Sequence, residues 1–380
     1  MHIAFNAWFW NRPDTGSGQY LRGLVKGLRA AAPDLRLTLI APEGWQIEPP
    51  NGATVERVSL KGSGHLAKAV FEQDGFPKAA AKVGADIAHV PYWGSPLASP
   101  IPVVVTIHDL IPLILPQYRG GILARLYTGL VAASARGAAA VITDSEHSRQ
   151  DIIKRLGLPT EQVTAIHLAA GEEYHPRPAM TLDEPVRKKY GLPPEYVLYL
   201  GGFDARKNIE NLIKAFTYVK TGTQDAYPLV LAGRLPEKKS PRFADVRGLI
   251  EAMNVSDVVQ LIGEVDEADK PALYRMANCF VFPSRYEGFG LPVLEAMACG
   301  VPVVTSDRSS LPEIVGDAAF TVAPDDARHW GGSILAVLVQ ENVAQDLKEK
   351  GLARARQFSW ERTARETLAV YEKIAQGLPR

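Results

Sequence analysis

Two carboxylates, Glu287 and Glu295, separated by seven residues, are the side chains best placed to do chemistry. Glu287 lies in a glycine-bearing loop, Tyr286-Glu287-Gly288-Phe289-Gly290, that follows an apolar run ending at Phe282. Pro292 sits where the first turn of a helix begins, which puts Glu295 one turn inside that helix. The N–H groups around Phe289, Gly290 and Leu291 would then make an anion site, because a helix N-terminus carries unpaired donors and the positive end of a dipole. A carboxylate beside such a site reaches vicinal hydroxyls, and an anion with hydroxyls means a nucleotide ribose or a sugar. Taken singly, Glu287 reads first as a solvated loop carboxylate and Glu295 as a favourable charge near a helix N-terminus. The glycines and proline around the pair shift that balance.

Three further places combine reactive types with a strand-to-helix turn. Arg206 and Lys207 follow Leu200-Gly201-Gly202 and precede a helical run marked by Ile209, Leu212, Ile213 and Phe216; the alternative is two solvated cations before a helix. His108 and Asp109 end the buried-type strand Val103-Val104-Val105-Thr106-Ile107, where a histidine serves as readily as a hydrogen-bonded structural group as a ligand. Gly16 and Gly18 open a helix with Tyr20, Leu21, Leu24, Val25 and Leu28 on one face, and would let backbone approach a phosphate or sugar. A dinucleotide fingerprint fails there, since the glycines lie well past the first strand and position 21 is Leu rather than a third Gly. No Cys, His or carboxylate cluster has metal-ligand spacing, so no metal and no cofactor is implied.

The elements that must position these residues alternate between short β-branched runs and helical-period segments, the pattern of parallel βα units. Strands are expected at 3–6, 36–41, 86–90, 103–108, 140–143 and 163–167, and again at 196–200, 229–232, 258–262, 279–282, 303–305 and 320–322. Between the two sets, 171–180 is proline-rich, polar and aperiodic, which suits a linker with the boundary near Met180. The fold class is therefore α/β, with an N-terminal domain over 1–180 and a C-terminal domain over 181–358, each a doubly wound Rossmann-like sheet. A last amphipathic helix within 359–380 carries Ser359 as N-cap; it either covers the second domain or crosses back to the first. Ligands bind at strand C-terminal edges, so the expected active site is a cleft where two such edges face each other.

The 380 residues carry 42 Lys plus Arg against 42 Asp plus Glu, which leaves no electrostatic footprint for a nucleic acid. The two cysteines, Cys279 and Cys299, lie in apolar contexts that suit buried thiols. No run reaches the ~18 apolar residues of a membrane span and the N-terminus lacks a signal-peptide pattern, so a cytoplasmic location is expected, with a peripheral place at the inner membrane face left open.

The segment around Glu287 and Glu295, with Glu287-Gly288-Phe289-Gly290-Leu291-Pro292 and Ala298-Cys299-Gly300-Val301-Pro302, resembles the Glu-x7-Glu signature of the family 4 retaining glycosyltransferases, which have the two-domain GT-B fold. The resemblance implies that Glu287 contacts the donor sugar and Glu295 the nucleotide ribose. It also implies that Arg206 and Lys207 meet the leaving diphosphate, that His108 faces donor sugar or acceptor, and that the loop of Gly16 and Gly18 closes over the diphosphate. Backbone at Ile262-Gly263-Glu264-Val265 would meet the base, and the last helix would cross to the first domain. Arg206-Lys207-Asn208 is similar to the mannosyltransferase-like branch, although Gly202 stands where an arginine often follows the first glycine. The implied reaction moves a hexose, mannose first, from a nucleoside diphosphate sugar to an acceptor hydroxyl with the α configuration kept. GDP-mannose is favoured over a UDP-hexose as donor; the acceptor is a saccharide, a lipid-linked saccharide or a small molecule. An epimerase or hydrolase on the same fold and a catalytically silent sugar-nucleotide scaffold are the rival readings.

Overall fold

The computed structural model describes all residues other than 61, 63, 177–179, 224–226, 237–239, 241 and 378–380, with the side chains of 180–182 also outside the description. The chain divides into two compact units, Met1–Leu168 with Ser359–Arg380, and Ala169–Phe358.

In the first unit a seven-stranded sheet is built from β1 (His2–Asn6), β2 (Arg36–Pro42), β3 (Ala53–Val58), β4 (Ile87–Val90), β5 (Val103–Thr106), β6 (Ala140–Thr143) and β7 (Val163–Ala165), in the order β3-β2-β1-β4-β5-β6-β7. All neighbours are parallel. Strands β1, β4, β5 and β6 are buried along their whole length, as expected of a parallel sheet covered on both faces. Chain order reverses between β1 and β4, and ligands bind at such a switch point. Strand β3 is the element the sequence reading left out. It pairs with β2 at the sheet edge and is only half-buried, so Glu56 and Arg57 interrupt the apolar run that marks its neighbours.

The last helix, Trp360–Gln376, starts at Ser359, whose side chain accepts from the Arg362 N–H at 3.1 Å. It packs in the first unit against the helix Gly16–Ala31, where a Cβ on Gly23 or Gly27 would run into Trp360. Thr363 Oγ1 donates to the His167 carbonyl at 2.6 Å. Tyr371 Oη meets His89 Nδ1 at 2.5 Å, and His89 Nε2 meets Thr106 Oγ1 at 2.8 Å. Burial pushes the His89 pKa down to about 3, so this internal chain is neutral at physiological pH.

The second unit holds β8 (Val197–Leu200), β9 (Leu229–Ala232), β10 (Val259–Gly263), β11 (Cys279–Phe282), β12 (Val303–Ser306) and β13 (Phe320–Val322), parallel and in the order β10-β9-β8-β11-β12-β13. Its switch point lies between β8 and β11. The unit begins before Met180: Tyr174, within the expected linker, is buried and meets Tyr274 edge-on at 5.9 Å. Of that linker, 177–179 lie outside the described residues. Cys279 and Cys299 are free thiols, buried in this unit, and burial pushes the Cys299 pKa up to about 12.

Candidate active site

The loops after β8 and β11 meet at the switch point of the second sheet, and their meeting creates a charged cluster. After β8, Gly201-Gly202 leads to a short turn, Ala205–Lys207, that presents Arg206 and Lys207. After β11 come Ser284 and Glu287. Three donors converge on one carboxylate oxygen, Glu287 Oε1: Lys207 Nζ at 2.7 Å, Arg206 Nη1 at 2.7 Å and Ser284 Oγ at 2.5 Å. Arg206 also holds Asp204 through Nε at 3.1 Å, so two cations face two carboxylates. Burial works against a charged Glu287, but Arg206 and Lys207 outweigh it and hold its pKa down at about 2. For Lys207 burial wins, and its ammonium lies below the ordinary range although Glu287 opposes the shift.

Backbone and polar side chains fix this cluster from behind. The Arg285 N–H donates to the Arg206 carbonyl at 2.7 Å. Asn208, in the left-handed region at φ 57°, donates Nδ2 to the Pro324 carbonyl at 2.6 Å and accepts from Arg285 Nη2 at 2.8 Å. From the loop after β12, Ser309 Oγ accepts from the Glu287 N–H at 3.0 Å, and Ser310 Oγ donates to the carbonyls of Glu287 at 3.0 Å and Phe289 at 2.5 Å.

Glu295 lies on the helix Leu291–Ala298, which opens at Gly290 with Pro292 in its first turn. Gly290 takes φ 123°, which favours glycine, and so turns the chain sharply into the helix. Phe289 is buried and meets Phe358 edge-on at 6.1 Å. Glu295 is itself buried and accepts from Tyr274 Oη at 2.9 Å. Burial pushes its pKa up to about 7 despite the hydrogen bond from Tyr274 and the Lys270 charge. Val265 follows β10, the outermost strand of this sheet, and is buried.

His108, Gly16 and Gly18 belong to the first unit. His108 follows β5, and its Nδ1 meets Asp144 Oδ2 at 2.8 Å from the end of neighbouring β6. Burial would lower the His108 pKa, but Asp144 overrides it and raises the value above the ordinary range. Asp109 accepts from the Ile111 N–H at 2.9 Å and so shapes the loop. Gly16 is open on the side where a Cβ would stand. A Cβ on Gly18 would strike the Arg12 carbonyl, so this glycine admits the chain's own backbone.

Residues 183–354 match the family described as Glycosyl transferases group 1, and residues 15–169 match the Glycosyl transferase 4-like domain. The O-antigen chain mannosyltransferase B of Escherichia coli is 37% identical over 273 residues, 71% of this chain and 70% of that protein. This chain belongs to the family 4 glycosyltransferases. A serotype-specific mannosyltransferase, WbdA of Escherichia coli, is 33% identical over 290 residues, 73% of this chain and 34% of WbdA, so the chain spans about a third of that relative. Sucrose-phosphate synthase from Thermosynechococcus elongatus superposes with a TM-score of 0.78 at 24% identity over 100% of both chains, which shows the GT-B fold.

Preorganised cations at a strand edge stabilise charge developing on a leaving group without reorganising during the reaction. The sequence reading assigned Arg206 and Lys207 to the diphosphate and Glu287 to the donor sugar, and the structure joins the three within hydrogen-bonding distance. It missed Asp144, Ser284, Ser309, Ser310 and Tyr274. A serine three residues before Glu287 was a visible signal; the others arrive through strand adjacency, which linear spacing does not encode. Among the described residues no group of three or more His, Cys, Asp or Glu could hold a metal ion.

Proposed function

We propose that this glycosyltransferase moves a mannosyl residue from GDP-mannose to a hydroxyl of a saccharide acceptor, with the α configuration retained and no metal required. The observation that carries the reading is the convergence of Arg206, Lys207 and Ser284 on Glu287 Oε1 at the second sheet's switch point. The mannosyltransferases among the relatives support the choice of sugar.

In this reading Lys207 and Arg206 neutralise the departing diphosphate, helped by the N-terminal amides at Gly290 and Leu291. Glu287 orients both cations and contacts the donor sugar. Glu295 accepts from the ribose hydroxyls and Val265 backbone meets the base. His108 is assigned to the donor sugar or acceptor, and Gly16 and Gly18 to the diphosphate. The bond from C1 to the diphosphate oxygen breaks as the acceptor oxygen bonds to C1 on the same face. The acceptor proton passes to the departing phosphate oxygen.

A peripheral place on an anionic membrane surface belongs to the same reading. Ile122, Leu123 and Leu126 are 77%, 83% and 66% exposed. The stretch from 110 to 143 contains Arg119, Arg125 and Arg136 but no Asp or Glu. An exposed apolar turn with arginines is suited to a headgroup boundary. No helix among the described residues is long and apolar enough to cross a membrane. Co-sedimentation with phosphatidylglycerol vesicles but not phosphatidylcholine vesicles is expected, and Leu123→Asp should abolish it.

The test of donor choice is a thermal-shift titration with GDP, UDP, ADP and TDP, followed by transfer from labelled GDP-mannose. A ligand bound only by the folded state raises the melting midpoint by mass action, about 2.7 kcal/mol at a hundredfold excess over Kd. GDP alone should do so. A response to UDP alone would redirect the donor to a UDP-hexose, and no response to any of the four would overturn the nucleotide-sugar reading.

A further inference from the structure

The first unit carries a second feature on the C-terminal edge of its sheet, beside the switch point. The loops after β1 and β2 line an open cavity of about 460 Å³, within the ~300–1,000 Å³ range of small-molecule sites. Trp8, Phe9 and Trp45 form its apolar walls, and Asn11, Arg12 and Gln46 stand at its polar rim. The three aromatic residues are half-buried.

Each wall is braced. Trp8 meets Trp45 at 5.2 Å with the planes at 49°, and is backed by Phe71 at 5.4 Å. Phe9 stands edge-on to buried Tyr92 at 4.8 Å. Asn11 Nδ2 donates to the Gln46 carbonyl at 3.0 Å, tying one loop to the other. Phe71 opens a single π-helical turn, Phe71–Gly75, a rare form that recurs at functional sites.

The lining chemistry selects the ligand class. No carboxylate lines the cavity, so it does not suit a cation. Arg12 is already paired with Asp14 at 3.3 Å, which disfavours an anion as the main determinant. Aromatic faces with an amide rim suit a neutral polyhydroxylated ring, whose C–H face stacks on an indole while its hydroxyls reach the amides. Position adds a length. His108 follows β5, and β4 lies between β5 and β1, so two interstrand steps, roughly 10 Å, separate the two places along the edge.

We propose that this cavity binds a sugar residue of the acceptor remote from the one that is glycosylated, so that the enzyme selects acceptors of two or more sugars. The proposal rests on the transferase reading above. Its test combines transfer from GDP-mannose to α-linked mannosides of one, two and three residues with a tryptophan-fluorescence titration by the trimannoside alone. The wild-type protein is expected to prefer the longer acceptors, through KM rather than kcat, and to change fluorescence on binding. Trp45→Ala should erase that preference by ~10-fold and lose the fluorescence response, whereas Trp45→Phe should keep the preference. Gln46→Ala, at an exposed rim position, serves as a second variant free of core packing and should weaken trimannoside binding ~3-fold. A preference that survives Trp45→Ala, or no preference in the wild type, would overturn the proposal. A rise in donor KM alone would overturn it too, in favour of a nucleotide site. Trimannoside binding that depends on Trp45 without any transfer would instead overturn the donor reading and leave the cavity assigned.

Discussion

The two strand edges of this glycosyltransferase satisfy their polar groups in opposite ways. In the second unit Lys207, Arg206, Ser284 and Glu287 bind one another, and Ser309 and Ser310 hold the adjoining backbone. At the edge of the first sheet, Thr143 Oγ1 and Asp144 Oδ1 are buried without a hydrogen-bond partner among the described residues. Such an atom costs ~1–3 kcal/mol, which folding must offset elsewhere. The contrast is one of charge: a buried cation pair is kept in place by its own counterions, whereas the other edge leaves buried polar atoms without a partner among the described residues.

The largest expected effect tests the satisfied side. In Glu287→Gln, Arg206 and Lys207 face a neutral amide in a buried setting, and breaking such a pair costs ~3–5 kcal/mol. Urea unfolding at pH 7 should show that loss. The sign with pH follows from the lowered pKa: the Glu287 contribution is complete above about 4.5 and is lost as pH falls towards about 2. The deficit of the variant should therefore shrink in acid, and a deficit independent of pH would mean that the carboxylate charge is not what holds the cluster.

Lys207→Ala comes next. Its turnover with donor and acceptor should fall by ~100-fold or more, the scale of one preorganised leaving-group contact. An unchanged kcat would remove Lys207 from the reaction and leave it as a structural partner of Glu287. Glu295→Gln should act more gently and with the opposite pH sense to Glu287→Gln. A carboxyl whose pKa is raised from 4.5 to about 7 binds its proton more tightly when folded, so it destabilises the fold progressively as pH rises through that window. The variant should gain about 3 kcal/mol over the wild type at pH 8 and almost nothing at pH 4. The donor KM of the wild type should fall as pH rises through 7, because an ionised Glu295 is the better acceptor for ribose hydroxyls, and the variant should lose that dependence.

How much of this could be read in the sequence follows the same divide. Strands buried on both faces announce themselves: Ala140–Thr143, Leu229–Ala232 and Cys279–Phe282 stand at the expected positions to the residue, and so does the half-buried edge strand Phe320–Val322. Ala53–Val58 does not, because an edge strand keeps Glu56 and Arg57 in a run whose apolar signal is diluted. The cation cluster was legible because each half sits within a few residues of a strand end. Asp144 was not, since its place beside His108 depends on β6 lying next to β5. Ser145, one position later, caps the following helix by accepting from the Ser148 N–H at 3.1 Å. Gly18 shows the converse: its type was noticed, but the Arg12 carbonyl that requires it became visible only in three dimensions.

Removing one hydroxyl from each edge gives the smallest effect and the cleanest test of the comparison. Ser310 Oγ has its one O–H within reach of the Glu287 and Phe289 carbonyls, and the Glu287 carbonyl also accepts from Ser309 Oγ, so Ser310→Ala removes one buried hydrogen bond and should cost ~1 kcal/mol in thermal or urea unfolding. Thr143 Oγ1 has no hydrogen-bond partner among the described residues, and Thr143→Val keeps the shape of the side chain. Its stability should stay within ~0.5 kcal/mol of the wild type or rise, because no hydrogen bond is lost and a buried polar atom is removed. Equal losses in the two variants would mean that Thr143 is satisfied by ordered water within the fold, and the distinction between the edges would fail. A stable Thr143→Val enzyme with weakened acceptor binding would instead place that hydroxyl in the ligand's shell, the role that the unpartnered edge is suited to play.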